Sequence, residues 1–305
     1  MVEIINGKVL ASKIKQEVKQ EINELGISPY FVIVQIGDNP ASNTYVRNKI
    51  KDCKECGIDS YLRHYNSLIT QDCLENFFKN MSADRGVNAL MLQLPIPKHL
   101  DAQKIINKIA PKKDVDGLTT INNGLLATGQ NGFIPCTAAG CMEMIRSTGI
   151  DIAGKNAVVI GRSNIVGKPV AMQLLKENAT VTICHSHTIR LKEICQKADI
   201  LIVAVGKKNF VTADMIKPGA VVIDVGINVQ ENGKLCGDVD FNEAKGVAGY
   251  ITPVPGGVGL MTRAMLMKKY FGGNKMPTNK GYLTAKSTKE SDEYYTPAYA
   301  VEPLL

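Results

Sequence analysis

The sequence predicts an α/β fold, and three observations carry that prediction. Apolar positions at helical spacing alternate with short continuous apolar runs almost from the first residue. Two such series are separated by a loop rich in Gly, Asn and Thr, and the short crossovers of the second series favour a parallel sheet.

Val9, Leu10, Ile14, Val18, Ile22 and Leu25 repeat at helical spacing, and the apolar run 30–36 follows as a buried strand. A helix over 41–56, a strand over 60–65, a helix over 71–80 and a strand over 89–94 continue the winding. The loop occupies 116–132, a further helix 138–147, and a domain boundary is expected near there. The second series reads strand 157–161, helix 167–176, strand 180–184, helix 191–198 and strands 200–205 and 220–225. After the loop Pro253-Val254-Pro255-Gly256-Gly257, a helical pattern over 258–270 closes the globular part. Residues from about 272 to 305 are polar, mixed in charge and aperiodic, and are expected to form a poorly ordered tail.

The 305 residues, 45% hydrophobic and 21% charged, suit a globular protein and exclude a disordered or fibrous one. No apolar run is long enough for a membrane span, and Met1 to Gly7 lack the basic and apolar regions of a signal peptide, so a soluble, cytoplasmic protein is expected. Eight scattered cysteines do not form the framework of a small secreted domain, so reduced thiols are expected. Cys53 and Cys56 have metal-ligand spacing but no second Cys or His pair near them, which reads as helix-borne thiols with no metal. A net charge of +7 is compatible with an anionic small ligand, and no basic stripe interleaved with aromatics points to nucleic acid.

Strand 157–161 ends in Gly161-Arg162-Ser163-Asn164-Ile165-Val166-Gly167, a turn opening a helix, where an α/β sheet offers backbone N–H groups to a phosphate. It departs from G-x-G-x-x-G because Ser163 holds the second Gly position and three residues precede the next Gly, so spacing alone leaves a plain tight turn open. NAD-specific folds place an acid about 20 residues on. Here the sequence reads Cys184-His185-Ser186-His187-Thr188, without one. Arg162, His185 and Ser186 are donors for a ribose phosphate, which shifts the reading toward NADP. Tyr45 and Lys49, four apart, share a helix face, either as a solvated surface pair or as the Tyr-x-x-x-Lys pair of short-chain dehydrogenases. The second alternative wants its Gly-rich turn before the pair, not after it.

Together, Ala41-Ser42 with Tyr45 and Lys49, Gln93-Leu94-Pro95, Lys113-Asp114-Val115-Asp116-Gly117, Pro135-Cys136-Thr137, Gly161-Arg162-Ser163 and Thr252 to Gly259 resemble the methylenetetrahydrofolate dehydrogenase/cyclohydrolase family over about residues 1 to 270. The resemblance implies two α/β domains flanking a cleft. A folate-binding catalytic domain would span 1–138, with a helix at 258–271 returning to it, and a Rossmann-like parallel sheet binding NADP would span 139–257. It also implies a homodimer formed through the NADP-binding domain, oxidation of methylene-tetrahydrofolate with NADP, and hydrolysis of the methenyl product to formyl-tetrahydrofolate. Carried over by residue, Lys49 acts in both reactions, Gln93 tunes it, and Asp116, counted with them as catalytic, binds the pterin. Tyr45 stacks on the aminobenzoyl ring, and Leu94, Pro95, Pro255, Gly256 and Gly257 complete the folate site. Gly161, Arg162, Ser163, Val166, Gly167, His185, Ser186, Ile227 and Thr262 form the NADP site, and no metal is implied.

The chemistry suits these residue types. Oxidation leaves a methenyl cation, which a permanently charged lysine would oppose, whereas a lysine of lowered pKa can trade protons near neutrality. The Pro255-Gly256-Gly257 loop lacks bulky side chains and lets backbone approach the rings closely, and it equally suits a simple hinge. The sequence departs from the family at Ala138 and Leu260, where the family has proline, and at Arg263, where it has a small apolar residue. Two rival readings are a dehydrogenase without useful cyclohydrolase activity and a catalytically silent NADP-binding or scaffold protein. The intact Tyr45, Lys49, Gln93 and Asp116 set argues against silence.

Overall fold

The computed structural model describes residues 2–269; the tail expected over 272–305 and residues 270–271 of the range expected for the closing helix lie outside the described residues. In chain order the elements are β1 (Glu3–Ile4), α1 (Gly7–Leu25), β2 (Tyr30–Ile36), α2 (Pro40–Cys56), β3 (Asp59–Tyr65), α3 (Gln71–Ala83), β4 (Ala89–Leu92), α4 (Ala102–Ile106), α5 (Thr120–Ala127) and α6 (Cys136–Arg146). The second half contains β5 (Asn156–Ile160), α7 (Gly167–Lys176), β6 (Thr180–Cys184), α8 (Leu191–Cys195), β7 (Ile200–Val203), β8 (Val221–Asp224), β9 (Asn228–Val229), β10 (Leu235–Cys236), α9 (Phe241–Ala244), β11 (Tyr250–Ile251) and α10 (Val258–Lys268). Short 3₁₀ turns occupy Pro111–Lys113 and Ala213–Met215.

Two parallel sheets result. The first has the order β3-β2-β4 and the second β1-β11-β8-β7-β5-β6, while β9 and β10 form a separate antiparallel ribbon. In each parallel sheet the chain leaves a central strand to one side and then returns to its other side: β2 to β3 and then β4, β5 to β6 and then β7. Such reversals open a crevice at the carboxyl ends of the strands, between β2 and β4 in one sheet and between β5 and β7 in the other. The sheet interiors are continuous apolar runs, as expected where helices cover both faces.

One core runs through both sheets. Ile14 and Val18 of α1, Met142 and Ile145 of α6, and Met261 and Ala264 of α10 belong to the same buried cluster as Ile33 of β2 and Val159 of β5. Helix α10 packs on both α1 and α6, and it also meets α2. Close approach is possible because Gly140 of α6 faces Met261, where an added Cβ would lie 3.0 Å from the methionine Cβ. β1 pairs with β11 in the second sheet although α1, three residues later, packs beside α2.

The segment 116–132, expected as a loop, contains helix α5. Gly124 and two asparagines make it a poor helix on propensity, but tertiary partners fix its start. The Thr119 side chain accepts the Asn122 N–H at 3.2 Å, and Asn122 and Leu126 are buried. The two-residue strands β1 and β11 and the short helix α4 carry no periodic signal and were not expected.

Candidate active site

The crevice of the first sheet is built from α2 and the end of β4. Asn39 caps α2, its side chain accepting the Ser42 N–H at 3.1 Å, and Pro40 opens the first turn where no N–H is needed. Tyr45, Lys49 and Asp52 then fall on one face at spacings of four and three. The Lys49 side chain is not a solvated surface group: the residue is 6% exposed, and its Nζ donates to Gln93 Oε1 at 2.9 Å and lies 3.6 Å from Met91 Sδ. Gln93 is held in turn, because its backbone N–H donates to Val34 O at 2.8 Å and its side-chain amide to Leu94 O. Burial holds the Lys49 ammonium below the usual lysine range, and Asp116, Cys136 and Cys53 oppose that lowering. The half-buried Tyr45 phenol is pushed up by burial.

Asp116 owes its place to a neighbour that sequence reasoning gave no role. Asp114 is 1% exposed, and its carboxylate accepts the N–H groups of Gly117 at 3.0 Å, Leu118 at 3.1 Å and Thr119 at 2.8 Å, with the Asn122 side-chain amide at 2.8 Å. A carboxylate with four donors folds the loop around itself and sets the half-buried Asp116 toward Lys49. Gly117 is obligatory in that turn: its φ is +72° and an added Cβ would lie 2.7 Å from the Ile134 carbonyl carbon.

The loop from Pro253 to Gly257 and helix α10 bring the second half of the chain onto this crevice. Leu94-Pro95 and Val254-Pro255 are both cis. The two carbonyl oxygens of Gly256 and Gly257 press on Gly7 at the start of α1, where an added Cβ would lie 2.6 and 2.5 Å from them. Gly7 is thus a second missed residue. At the second residue of α10, a Cβ on Gly259 would lie 3.2 Å from the Tyr45 hydroxyl oxygen. Thr262 lies with its hydroxyl 3.0 Å from Val258 O and 3.2 Å from the Thr137 hydroxyl, linking α10 to α6. Of the departures from the resembled family, Ala138 is fully buried, Leu260 packs against the core, and Arg263 reaches Asp52 of α2 at 3.0 Å.

The second crevice, between β5 and β7, is lined by a backbone too tight for side chains. Gly161 has φ +123°, and an added Cβ would meet Ala204 O at 2.3 Å; one on Gly167 would meet Gly161 O at 2.1 Å. Ser163 Oγ accepts the N–H groups of Val166 at 3.1 Å and Gly167 at 3.4 Å, which leaves its own O–H to donate outward. Arg162, Ser163 and Ser186 are exposed, and His185 is half-buried. His185 Nδ1 accepts the His187 N–H at 3.2 Å, which places the ring proton on Nε2 as a donor. These donors, with no carboxylate at the end of β6, fit a nucleotide carrying a ribose phosphate.

A third missed feature shapes the loops after β7 and β8. Buried Asp238 accepts the N–H groups of Val205 at 2.7 Å, Gly206 at 2.8 Å and Lys207 at 2.8 Å, and the Asn228 amide at 2.9 Å. Asp224, pushed up to about 6 by burial, accepts those of Gly226, Asp238 and Val239, each at 2.9 Å. An added Cβ on Gly226 would lie 2.1 Å from Asp238 Oδ1, and one on Gly237 1.8 Å from Asp224 Oδ2. Exposed Ile227 stands on the loop that these two carboxylates organise. The signal was present as Asp224-Val225-Gly226 and Gly237-Asp238, but nothing local says that the two pairs meet.

Lys49, Gln93, Tyr45 and Asp116 are therefore gathered around one crevice and Gly161 to Gly167 with His185 and Ser186 around the other. Cys53 and Cys56 are buried thiols, both pushed up to about 12 by burial. Residues 5–116 match the family described as tetrahydrofolate dehydrogenase/cyclohydrolase, catalytic domain, and residues 135–276 match tetrahydrofolate dehydrogenase/cyclohydrolase, NAD(P)-binding domain. The bifunctional protein FolD of Polaromonas sp. strain JS666 is 53% identical over 268 residues, which are 87% of this chain and 95% of that protein. Among solved structures, the bifunctional FolD enzyme of Campylobacter jejuni is similar with a TM-score of 0.87 at 46% identity, covering 88% of this chain and 97% of that one. The Trypanosoma brucei methylenetetrahydrofolate dehydrogenase-cyclohydrolase, solved with NADP cofactor and inhibitor, is similar with a TM-score of 0.84 at 37% identity, over 88% of this chain and 96% of that one.

Proposed function

This chain belongs to the tetrahydrofolate dehydrogenase/cyclohydrolase family, and on that premise we propose how its residues divide two reactions. It oxidises 5,10-methylenetetrahydrofolate to the 5,10-methenyl form with NADP and hydrolyses that product to 10-formyltetrahydrofolate, in one-carbon metabolism. The observation that carries the assignment of residues is the buried contact of Lys49 with Gln93, beside Tyr45 and Asp116.

NADP, when bound, accepts the hydride. Tyr45 offers a ring face to the aminobenzoyl group and Asp116 a carboxylate to the pterin edge. Leu94, Pro95 and the Pro255-Gly256-Gly257 backbone enclose the reacting carbon. Lys49, whose ammonium burial disfavours, gives up its proton more readily than a solvated lysine; as the amine it places no second cation beside the methenyl carbon and takes the proton of the attacking water. Gln93 Oε1 fixes the direction of the amine. Gly161, Val166 and Gly167 let the nucleotide approach the backbone, Arg162, Ser163, His185 and Ser186 hold its phosphates, and Ile227 and Thr262 border it. We assign folate binding to 1–138 with the returning helix and nucleotide binding to 139–257. The packing of α10 on α1 and α2 supports that return. The reading includes a homodimer formed through the nucleotide-binding part and a cytoplasmic location; among the described residues no helix is long and apolar enough to cross a membrane.

Absorbance assays test the reading: methenyl product is expected to appear from methylene-tetrahydrofolate and NADP, and separately added methenyl product to decay. Silence in both would leave a non-catalytic binding protein. NADP is expected to outperform NAD, and Arg162→Ala to narrow the difference roughly ten- to hundredfold by weakening NADP, since a charge-assisted contact is worth about 1.5 to 3 kcal/mol. Equal use of both cofactors by the parent protein would remove the role given to Arg162, His185 and Ser186.

A further inference from the structure

Arg263 stands where the family has a small apolar residue, yet it is largely enclosed. Its Nη1 is 3.0 Å from Asp52 Oδ2, and Asp52 is itself buried one turn beyond Lys49 on α2. The other Asp52 oxygen is 3.1 Å from Lys15 Nζ of α1, which also reaches Glu55 at 2.6 Å. Burial by itself would lower the Lys15 ammonium, but hydrogen bonds to Glu55 and Asp52 outweigh it and hold it above the usual lysine range. Two cations and two carboxylates thus join α1, α2 and α10. A buried pair of this kind is a weak source of stability, because desolvation offsets most of the attraction. Its placement calls for another role: Gly259 of α10 touches Tyr45 and Arg263 touches Asp52, so α10 meets α2 on either side of Lys49.

The groups bearing on Lys49 come from four elements. Cys53 lies on its own helix, Cys136 on α6, Asp116 on the loop before α5, and Arg263 on α10. Both thiols are pushed up to about 12 by burial and stay neutral below it. Burial is the largest influence and favours the amine; among the charged groups, the Asp116 carboxylate favours the ammonium and the Arg263 guanidinium, more weakly, the amine.

We propose that Arg263 is a positioning residue of the reaction centre: held by Asp52 one turn along α2 from Lys49, its guanidinium adds to burial in favouring the Lys49 amine and so extends to lower pH the range over which Lys49 takes a proton. The inference rests on the proton-transfer role given to Lys49 above. It is tested with the full chain by measuring methenyl-tetrahydrofolate hydrolysis, corrected for the uncatalysed rate, across the acid limb of the pH profile. Arg263→Met moves the limb to higher pH, lowering the rate at its acid end roughly two- to fivefold against the alkaline plateau. Arg263→Lys keeps the charge and restores the parental limb. Asp52→Asn leaves the guanidinium unneutralised and moves the limb the other way. If Arg263→Met does not fold by thermal melting, Arg263→Gln takes its place, keeping a donor for Asp52 without the charge. A limb unmoved in the folded uncharged variant, or a loss uniform across pH, overturns the proposal and leaves Arg263 a clamp between helices. Lys49→Ala measured alongside separates the two ideas: undiminished hydrolysis there sinks the role of Lys49 itself, whereas a dead Lys49→Ala with unmoved Arg263 variants sinks this inference alone.

Discussion

Lys49→Ala is expected to remove hydrolysis of the methenyl substrate, lowering its rate by roughly 10²- to 10⁴-fold, the usual worth of a positioned acid or base. NADP binding should stay at the parental level, because Lys49 lies at the β2/β4 crevice and the nucleotide turn at the β5/β7 crevice. The parent enzyme supplies the sign of the pH dependence. Burial holds Lys49 below the ordinary lysine range, so the neutral amine is present at lower pH than for a solvated lysine. Hydrolysis then rises as Lys49 loses its proton and falls on acidification. A variant that hydrolyses at near-parental rate, or whose loss is repaired by saturating substrate, would show Lys49 to be a binding group only. Substrate titration at fixed pH, with cofactor binding followed by fluorescence, makes the distinction.

Gly167→Ala is the complementary experiment. Its Cβ would lie 2.1 Å from Gly161 O and 3.0 Å from the Arg162 nitrogen, both backbone atoms that no side-chain rotation can clear. The turn must open by about an ångström, a displacement that can lower a rate by about 10²-fold when it misplaces a reactant. NADP-dependent oxidation is therefore expected to drop by about that factor. Hydrolysis of added methenyl substrate should persist, since Lys49, Gln93 and Asp116 draw on the other sheet. Loss of both activities with an intact melting profile would mean that the two crevices are coupled more tightly than their separate strands imply.

The parts of the molecule legible in sequence are those written in local signals. The helix expected over 167–176 and the strand over 180–184 coincide with α7 and β6, because a glycine turn opens one and a β-branched run forms the other. Tyr45 and Lys49 were visible as a pair, yet that Lys49 is buried rather than solvated follows only from β4, whose end brings Gln93 and Met91 onto it from a distant part of the chain. Asp114 was legible as a motif letter but not as the four-donor centre of its loop. Asp224 with Asp238, and Asp52 with Arg263, are partners made only by the winding of the sheets and the return of α10, so nothing local in the sequence says that the members of either pair meet.

The pairing of Glu3 and Ile4 with Tyr250 and Ile251 has a consequence for the order of assembly during synthesis. All three strands of the β3-β2-β4 sheet lie between Tyr30 and Leu92, so that sheet can close while the NAD(P)-binding half is still being translated. Strand β1 must wait until Tyr250 and Ile251 have left the ribosome, and the wall that α10 builds against Tyr45 and Asp52 follows later still. A nascent chain therefore carries Lys49 long before it can hold that lysine in a dry, shielded setting, and the newborn protein gains its chemistry only when nearly all of its described length has emerged.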